Sequence, residues 1–169
     1  MRQAIEVLNG MVEEGKLRSY AIGGGVAATF YMEPVLTYDL DVFLLLPPAE
    51  GILVDLTALY RDLGDRGFPA EHEHVLIGGL PVQLIPAYNP LIEEAVLQAV
   101  ELAFEDAMVR VVRPEHLLAI MVQTGRPKDR HRVALFLEQA DWDRDRLMDI
   151  LRRHGLEDRF RGSGGGGAS

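Results

Sequence analysis

The residue pattern predicts a mixed α/β (α+β) domain, with a small mixed sheet flanked by helices and followed by a helical C-terminal part. Three observations predict it. The nearly continuous apolar run Val42-Phe43-Leu44-Leu45-Leu46, closed by Pro47-Pro48, reads as a central strand buried on both faces. Two short β-type stretches flank Gly78-Gly79, the signature of a two-residue hairpin turn. Beyond Pro114 helical periodicity takes over: residues 114–124, 128–140 and 143–154 all read as helices, separated by Gly125-Arg126-Pro127 and by Asp141.

The elements follow in order. In residues 1–16, Ala4, Ile5, Leu8, Met11 and Val12 recur at helical spacing, and Gly15 supplies the stop. Ser19-Tyr20-Ala21-Ile22 is a short strand, and Gly23-Gly24-Gly25 turns the chain into a helix over Val26 to Tyr31, ended by Glu33-Pro34 because proline disfavours α geometry in the residue before it. The central strand spans Tyr38 to Leu46. Residues 49–63 read as helical, with Ile52, Leu53, Leu56, Leu59 and Leu63 in register, and residues 64–69 as a loop. Antiparallel strands are expected over 73–77 and 80–85. Asn89-Pro90 opens a helix that runs to about Ala99, with a capping side chain followed by proline at the first helical position. Residues 101–104 fit helix or strand, and Met108 to Val112 form a further strand.

At 169 residues the chain suits one domain with a sizeable core: residues 1–161, comprising an α/β body over 1–112 and a helical part over 113–161. Residues 162–169 are a Gly/Ser tail, flexible by composition. A hydrophobic content of 48% and a charged content of 25% exclude wholesale disorder and fibrous repeats. With 0 Cys there are no disulfides, thiol nucleophiles or thiolate metal sites. No apolar run approaches the roughly 20 residues of a membrane helix, and the N-terminus has no signal-peptide core, so a cytoplasmic protein without a membrane partner is expected. The net charge of −9 argues against a general nucleic-acid coat. That charge is split. Residues 1–109 hold 5 Lys and Arg against 17 Asp and Glu, whereas residues 110–169 hold 12 against 9. An acidic part can hold divalent cations and a basic part phosphates, although solvated helix surfaces give the same arithmetic.

The sharpest chemical feature is Asp39 and Asp41 on an otherwise apolar strand. Strand side chains alternate, so residues two apart share a face and their like charges repel. A Mg²⁺ ion held by carboxylates and substrate phosphates is one reason to keep such a pair, and a solvated strand edge is the other. Gly23-Gly24-Gly25 lies between a strand and a helix, where backbone N–H groups can receive an anion. Taken singly, the triplet is better accounted for by a plain tight turn that needs positive φ. Arg126, Lys128, Arg130 and Arg132 crowd a helix-to-helix turn; folded over the Asp pair, Arg126 and Lys128 would hold a triphosphate with Asp129 orienting one of them, and otherwise the stretch is an ordinary exposed helix start. His72 and His74, in Glu71-His72-Glu73-His74, would share one strand face but lack a third ligand at a recognisable spacing, which favours an exposed hairpin edge. His116 and His131 read as surface or partly packed residues, and Trp142 as an anchor for the last helix.

A strand, a Gly-Gly turn into a short helix, and then Thr37-Tyr38-Asp39-Leu40-Asp41-Val42 on the next strand resemble the signature of the polymerase-β-like nucleotidyltransferase superfamily. Pro114-Glu115-His116-Leu117-Leu118-Ala119-Ile120, followed by Thr124-Gly125-Arg126-Pro127-Lys128-Asp129, resembles the helical part of its bacterial AbiEii-like branch, some members of which are toxins of toxin–antitoxin systems. The resemblance spans residues 17–156 loosely. It implies a nucleotidyltransferase-type sheet and Mg²⁺-dependent (or Mn²⁺-dependent) transfer of a nucleoside monophosphate from a nucleoside triphosphate. Asp39 and Asp41 would bind the metal and act in catalysis, and Gly23, Gly24, Thr37, Arg126, Lys128 and Asp129 would bind the nucleotide. The acceptor is open among RNA, protein and small molecules, and a protein partner is compatible with the toxin–antitoxin type.

Two departures from the pattern stand out. The superfamily places a third carboxylate on a later strand, and the matching stretch Pro81-Val82-Gln83-Leu84-Ile85 has Gln83 there; an amide cannot usefully accept a proton near pH 7. Met121 stands where AbiEii-like relatives often carry a phosphate-contacting lysine. The rival readings are therefore a catalytically degenerate nucleotidyltransferase fold serving as a nucleotide-binding or protein-partner module, and a structural domain whose acidic pair is simply exposed.

Overall fold

The computed structural model describes residues 1–34, 36–48 and 56–163. Among these, eight helices accompany one seven-stranded mixed sheet. The helices are α1 (Arg2–Glu13), α2 (Gly24–Ala28), α3 (Thr57–Asp65), α4 (Pro90–Leu97), α5 (Pro114–Thr124), α6 (Pro127–Gln139), α7 (Arg144–Arg153) and α8 (Glu157–Gly162). The strands are β1 (Ser19–Ile22), β2 (Leu40–Leu45), β3 (Ala70–Glu71), β4 (His74–Ile77), β5 (Leu80–Pro86), β6 (Val100–Phe104) and β7 (Ala107–Val111). Their order is β3-β4-β5-β2-β1-β7-β6. The β2–β5 and β1–β7 pairs are parallel and the others antiparallel.

The central strand earns its place by being apolar on both sides. Leu40, Val42, Phe43, Leu44 and Leu45 are buried, with β5 on one flank and β1 on the other. Tyr20 and Ile22 of β1 turn toward α1, where the Tyr20 hydroxyl donates to Asn9 Oδ1 at 2.7 Å. Ile22 pairs with Val111, so Arg110 points to the opposite face; there its Nη2 donates to the Val96 carbonyl at the end of α4, 3.0 Å away. Helices thus cover both faces of the sheet. In α1, Ala4, Ile5, Leu8 and Met11 form the buried stripe that the spacing predicts. Helix α5 is different, because every residue from Glu115 to Val122 is buried. It is wrapped by α2, α4, α6, α7 and α8, and so forms the hub of the helical part.

Several expectations need correction. The central strand starts at Leu40 rather than Tyr38, so Asp39 lies in the bend before it. The glycine turn enters its helix directly: α2 is Gly24–Ala28, and residues 29–31 form a turn. Of the helix read over 49–63, residues 49–55 lie outside the described residues, and the described part runs on to Asp65. The hairpin about Gly78 and Gly79 forms as read, with both glycines in the left-handed region that a two-residue turn requires. Glu73 does not join its first strand, and the two-residue β3 had no signal in the sequence. Residues 101–104 are a strand that pairs with β7. The Asn89 cap is confirmed, its Oδ1 accepting from the Ile92 N–H at 2.9 Å. Helix α8 was not anticipated; it extends to Gly162, and residues 164–169 lie outside the described residues. His116 is fully buried rather than at the surface, because α5 has no solvent face there. Trp142 is half-buried in the α6–α7 connection, where its Nε1 donates to the Leu137 carbonyl at 3.3 Å.

Candidate functional site

The site is built where β1 and β2 meet the glycine turn. The ladder of β1 and β2 continues one residue past Ile22, with the Gly23 N–H donating to the Asp41 carbonyl at 2.9 Å. The chain then turns straight into α2 across the Asp41 side chain. Gly24 has φ of +58°, and a Cβ there would overlap the Asp41 carboxylate. Only glycine satisfies both conditions. Its neighbours are as tightly held: a Cβ at Gly23 would meet the Phe43 ring, and one at Gly25 would come within 2.9 Å of the Thr37 Cβ. The triplet is glycine because three side chains close on it, one of them an acid.

Thr37 links the turn to the other acid. Its Oγ1 lies 3.3 Å from both the carbonyl and Oδ1 of Asp39. The Asp39 carboxylate faces His74 across the sheet, with Oδ2 3.7 Å from Nε2. Strand register explains the meeting. Asp41 pairs with Gln83 in the parallel β2–β5 ladder, and one step beyond the Val75–Val82 pair His74 comes opposite Gln83, while Glu71 pairs with His74. A single polar row, Asp41, Gln83, His74 and Glu71, therefore crosses four strands on one face. An open groove of about 650 Å³, lined by Tyr60, Ala70, His72, Glu73, Gln83 and Leu84, adjoins it. His72 and His74 do not share a strand face, because His72 sits in the β3–β4 turn with φ of +57°.

The basic turn comes over the same place. Arg126 precedes α6, and its guanidinium clasps Asp129, with Nε 2.7 Å from Oδ2 and Nη2 3.4 Å from Oδ1. Asp129 is only 2% exposed, so its charge is committed to holding that arginine. The Asp129 hydrogen bond keeps the Arg126 guanidinium above its ordinary value, and Asp41 and Tyr88 are close enough to reinforce it. Arg132, one helical turn further along α6, places Nη2 3.5 Å from where a Gly25 Cβ would stand. It makes no ion pair among the described residues. Sequence reasoning grouped Arg132 with the basic turn but gave it no role; its i+3 spacing from Asp129 was the available signal. The Lys128 side chain lies outside the described residues. Met121 is buried in α5 and contributes packing.

Gly23, Gly24, Thr37, Asp39, Asp41, Gln83, Arg126 and Asp129 thus occupy one region, although their positions span 107 residues of chain. Among the described residues, no three His, Asp or Glu side chains gather into a metal cage. The carboxylates instead form a partial ligand set, with Asp41 against the glycine turn and Asp39 40% exposed. Such a set suits Mg²⁺, which is commonly held by one or two carboxylates plus substrate phosphates and water.

No family model matches the chain, and no curated protein matches it. Among solved structures, an antigenic nucleotidyltransferase-like protein from Paracoccidioides brasiliensis superposes with a TM-score of 0.56 at 16% identity, over 95% of this chain and 89% of that one. The structure of ANT(2")-Ia in complex with adenylyl-2"-tobramycin aligns with a TM-score of 0.48 at 16% identity, over 96% of this chain and 94% of that one. The first match identifies the architecture as a nucleotidyltransferase-like fold. Among the described residues no helix is long and apolar enough to cross a membrane.

Proposed function

We propose that the protein transfers a nucleoside monophosphate from a nucleoside triphosphate to an acceptor, in a Mg²⁺-dependent reaction at Asp39 and Asp41. One observation carries this reading. An acidic strand, a glycine turn pressed onto its carboxylate and an arginine clasped by a buried aspartate meet at one point. Solvated surface residues would have no need of that close packing.

Each residue has a job that its surroundings suit. The N–H groups of the glycine turn offer donors to phosphate oxygens, and Gly24 keeps the approach open because it has no Cβ. Arg126, aimed by Asp129, holds the nucleotide phosphates and offsets charge that develops on them, and Arg132 does the same from over Gly25. Lys128 belongs to the same basic turn and is assigned to the nucleotide on its sequence position. Thr37 holds Asp39 in place. Asp39 and Asp41 would bind the metal, which supplies Lewis-acid stabilisation of the phosphoryl oxygens when bound. Gln83, beside Asp41, can orient a ligand through its amide but cannot take the acceptor's proton.

That last point favours a second reading, a degenerate site that binds nucleotide without turnover and acts as a sensor or as a module for a protein partner. One experiment separates the two. Thermal unfolding is followed with each nucleoside triphosphate, with and without Mg²⁺, for the wild type and Asp39→Asn/Asp41→Asn, alongside transfer of labelled nucleotide to RNA, protein and small-molecule acceptors. A ligand at about 100 times its Kd adds roughly 2.7 kcal/mol of stability. Stabilisation that needs metal and nucleotide together, with labelled product, is the expected result. Stabilisation without product selects the binding module. No stabilisation in any condition overturns both. Labelled RNA or protein would accord with the toxin–antitoxin type implied by the AbiEii-like resemblance.

A further inference from the structure

A second cluster of arginines lies at the opposite end of α5 from Arg126. Arg113 stands just before α5, and Arg146, Asp149 and Arg153 lie on α7. With Gln98 and Ile150 they line an open groove of about 570 Å³ between the end of α4 and α7. The charges in it are not equally committed. Arg153 is spoken for: Nη2 donates to Glu94 Oε1 at 2.8 Å and Nε to Asp149 Oδ2 at 2.8 Å. Asp149 is in turn balanced by Arg153 and, at 3.9 Å, by Arg152. Arg113 spends only Nε, which donates to the Gln98 carbonyl at 2.8 Å. Arg146 uses its backbone N–H to complete the Asp143 cap, and its guanidinium has no partner among the described residues. Two guanidiniums without counter-charge therefore share one groove, in a chain whose net charge is −9.

The chemistry of the vacant donors selects the ligand. The bond from Arg113 Nε to a backbone carbonyl holds that side chain at the groove and leaves its two Nη groups for a guest, and Arg146 offers a whole guanidinium. One arginine suffices for the two oxygens of a carboxylate, whereas two arginines lining one groove match the three terminal oxygens and double charge of a phosphomonoester. We propose that this groove is an anion site separate from the nucleotidyltransferase-like centre, and that it takes the terminal phosphate of a small phosphomonoester on Arg113 and Arg146. The helix α5, about 16 Å long at 1.5 Å per residue, separates it from Arg126.

Isothermal titration of the intact protein with inorganic phosphate, glycerol phosphate and a 5′-phosphorylated RNA oligonucleotide tests the assignment. Arg146→Glu breaks no side-chain bond among the described residues, so it should fold as the wild type does, and Arg113→Gln gives a second reading. Saturable binding of a small phosphate, weakened at least tenfold by each substitution and unchanged by Arg126→Gln, is the expected result. Inorganic phosphate binding as tightly as glycerol phosphate assigns the site to the free ion, and preference for glycerol phosphate to an esterified one; both support a phosphate site. No saturable binding, equal binding by Arg146→Glu, or binding of the oligonucleotide alone would overturn it. Stabilisation of Arg146→Glu by Mg²⁺ and nucleotide reports on the other centre independently.

Discussion

Two acidic centres in this molecule contrast in what surrounds their carboxylates. Glu94, on α4, is saturated. One oxygen accepts from His116 Nε2 at 3.0 Å, the other meets His154 Nε2 at 2.9 Å, and Arg153 grips both. These contacts tie α4 to α5 and α7. The Arg153 hydrogen bond, more than any other cause, holds the Glu94 carboxyl far below the usual carboxylate range. Asp39 is held more loosely. Asp39 has a histidine at 3.7 Å and a hydroxyl at 3.3 Å, and Asp41 is pressed against a glycine. The difference separates an acid braced between helices from a pair placed beside the glycine turn. A carboxylate that holds a fold together spends its oxygens on protein donors from several elements, whereas Asp39 is 40% exposed and Asp41 lies against a turn that only glycine can make.

If that contrast is right, function and stability should separate between the two centres. The largest effect expected is Asp41→Asn, which should lower labelled nucleotide transfer at least thousandfold, about 4 kcal/mol on the barrier, while leaving the unfolding midpoint within a degree or two. Loss of activity with an equal loss of stability would mean that Asp41 is structural after all. Next is Glu94→Ala, which strands His116 in an apolar interior and frees Arg153. Urea unfolding should report a loss of about 3 kcal/mol, while transfer per folded molecule persists. Gly24→Ala should sit between the two behaviours. A side chain at φ of +58° costs about 1 kcal/mol, and the overlap with Asp41 adds to it. Both stability and Mg²⁺-dependent nucleotide protection should fall, which distinguishes it from either acid.

Acidification sharpens the comparison with a smaller effect. Burial is the main cause that pushes the His116 imidazole down, so the folded state keeps it neutral while the unfolded chain takes a proton below about pH 6.5. The Glu94 carboxyl is also depressed, and its contribution is present above its ordinary value of 4.5 and lost as pH falls below it. Both shifts have the same sign, because the unfolded state binds more protons in each window. Stability should therefore decline on acidification from about pH 6.5 and more steeply below 4.5. Glu94→Gln should flatten the lower limb in pH-dependent unfolding. Smallest is Gln83→Asp, which supplies the absent carboxylate in register with Asp41 and should raise transfer about tenfold, with no gain indicating that the site lacks more than a base.

Much of the fold was legible before any tertiary contact was known. Tyr20 and its neighbours, the Gly78-Gly79 hairpin, the Asn89 cap and the three helices beyond Pro114 are written in local patterns of period two or 3.6 and in turn chemistry. Elements with few residues left no such trace: β3 has two, and α8 is a single short helix past Gly155. At the site, Asp39, Asp41 and the glycine turn were legible because they fall within 19 residues of one another and carry unusual residue types. Arg132 over Gly25 and His74 beside Asp39 were not, because strand order and the docking of α6 create those meetings and no spacing encodes them.

The sequence by itself determined where the longer helices and strands form, that an acidic pair follows a glycine turn, and that cations concentrate after residue 109. Local propensities and side-chain periodicity act within a few residues, so their outcome can be read along the chain. Only the tertiary structure decided which charges are used up and which are available. His116, Arg153 and His154 lie 22, 59 and 60 residues from Glu94, and packing of α5 and α7 alone brings them to it. The physical reason is that desolvation and hydrogen bonding depend on neighbours in space. Charged side chains thus become a brace between helices at Glu94, an acid set against the glycine turn at Asp41 and a cation with no side-chain partner among the described residues at Arg146.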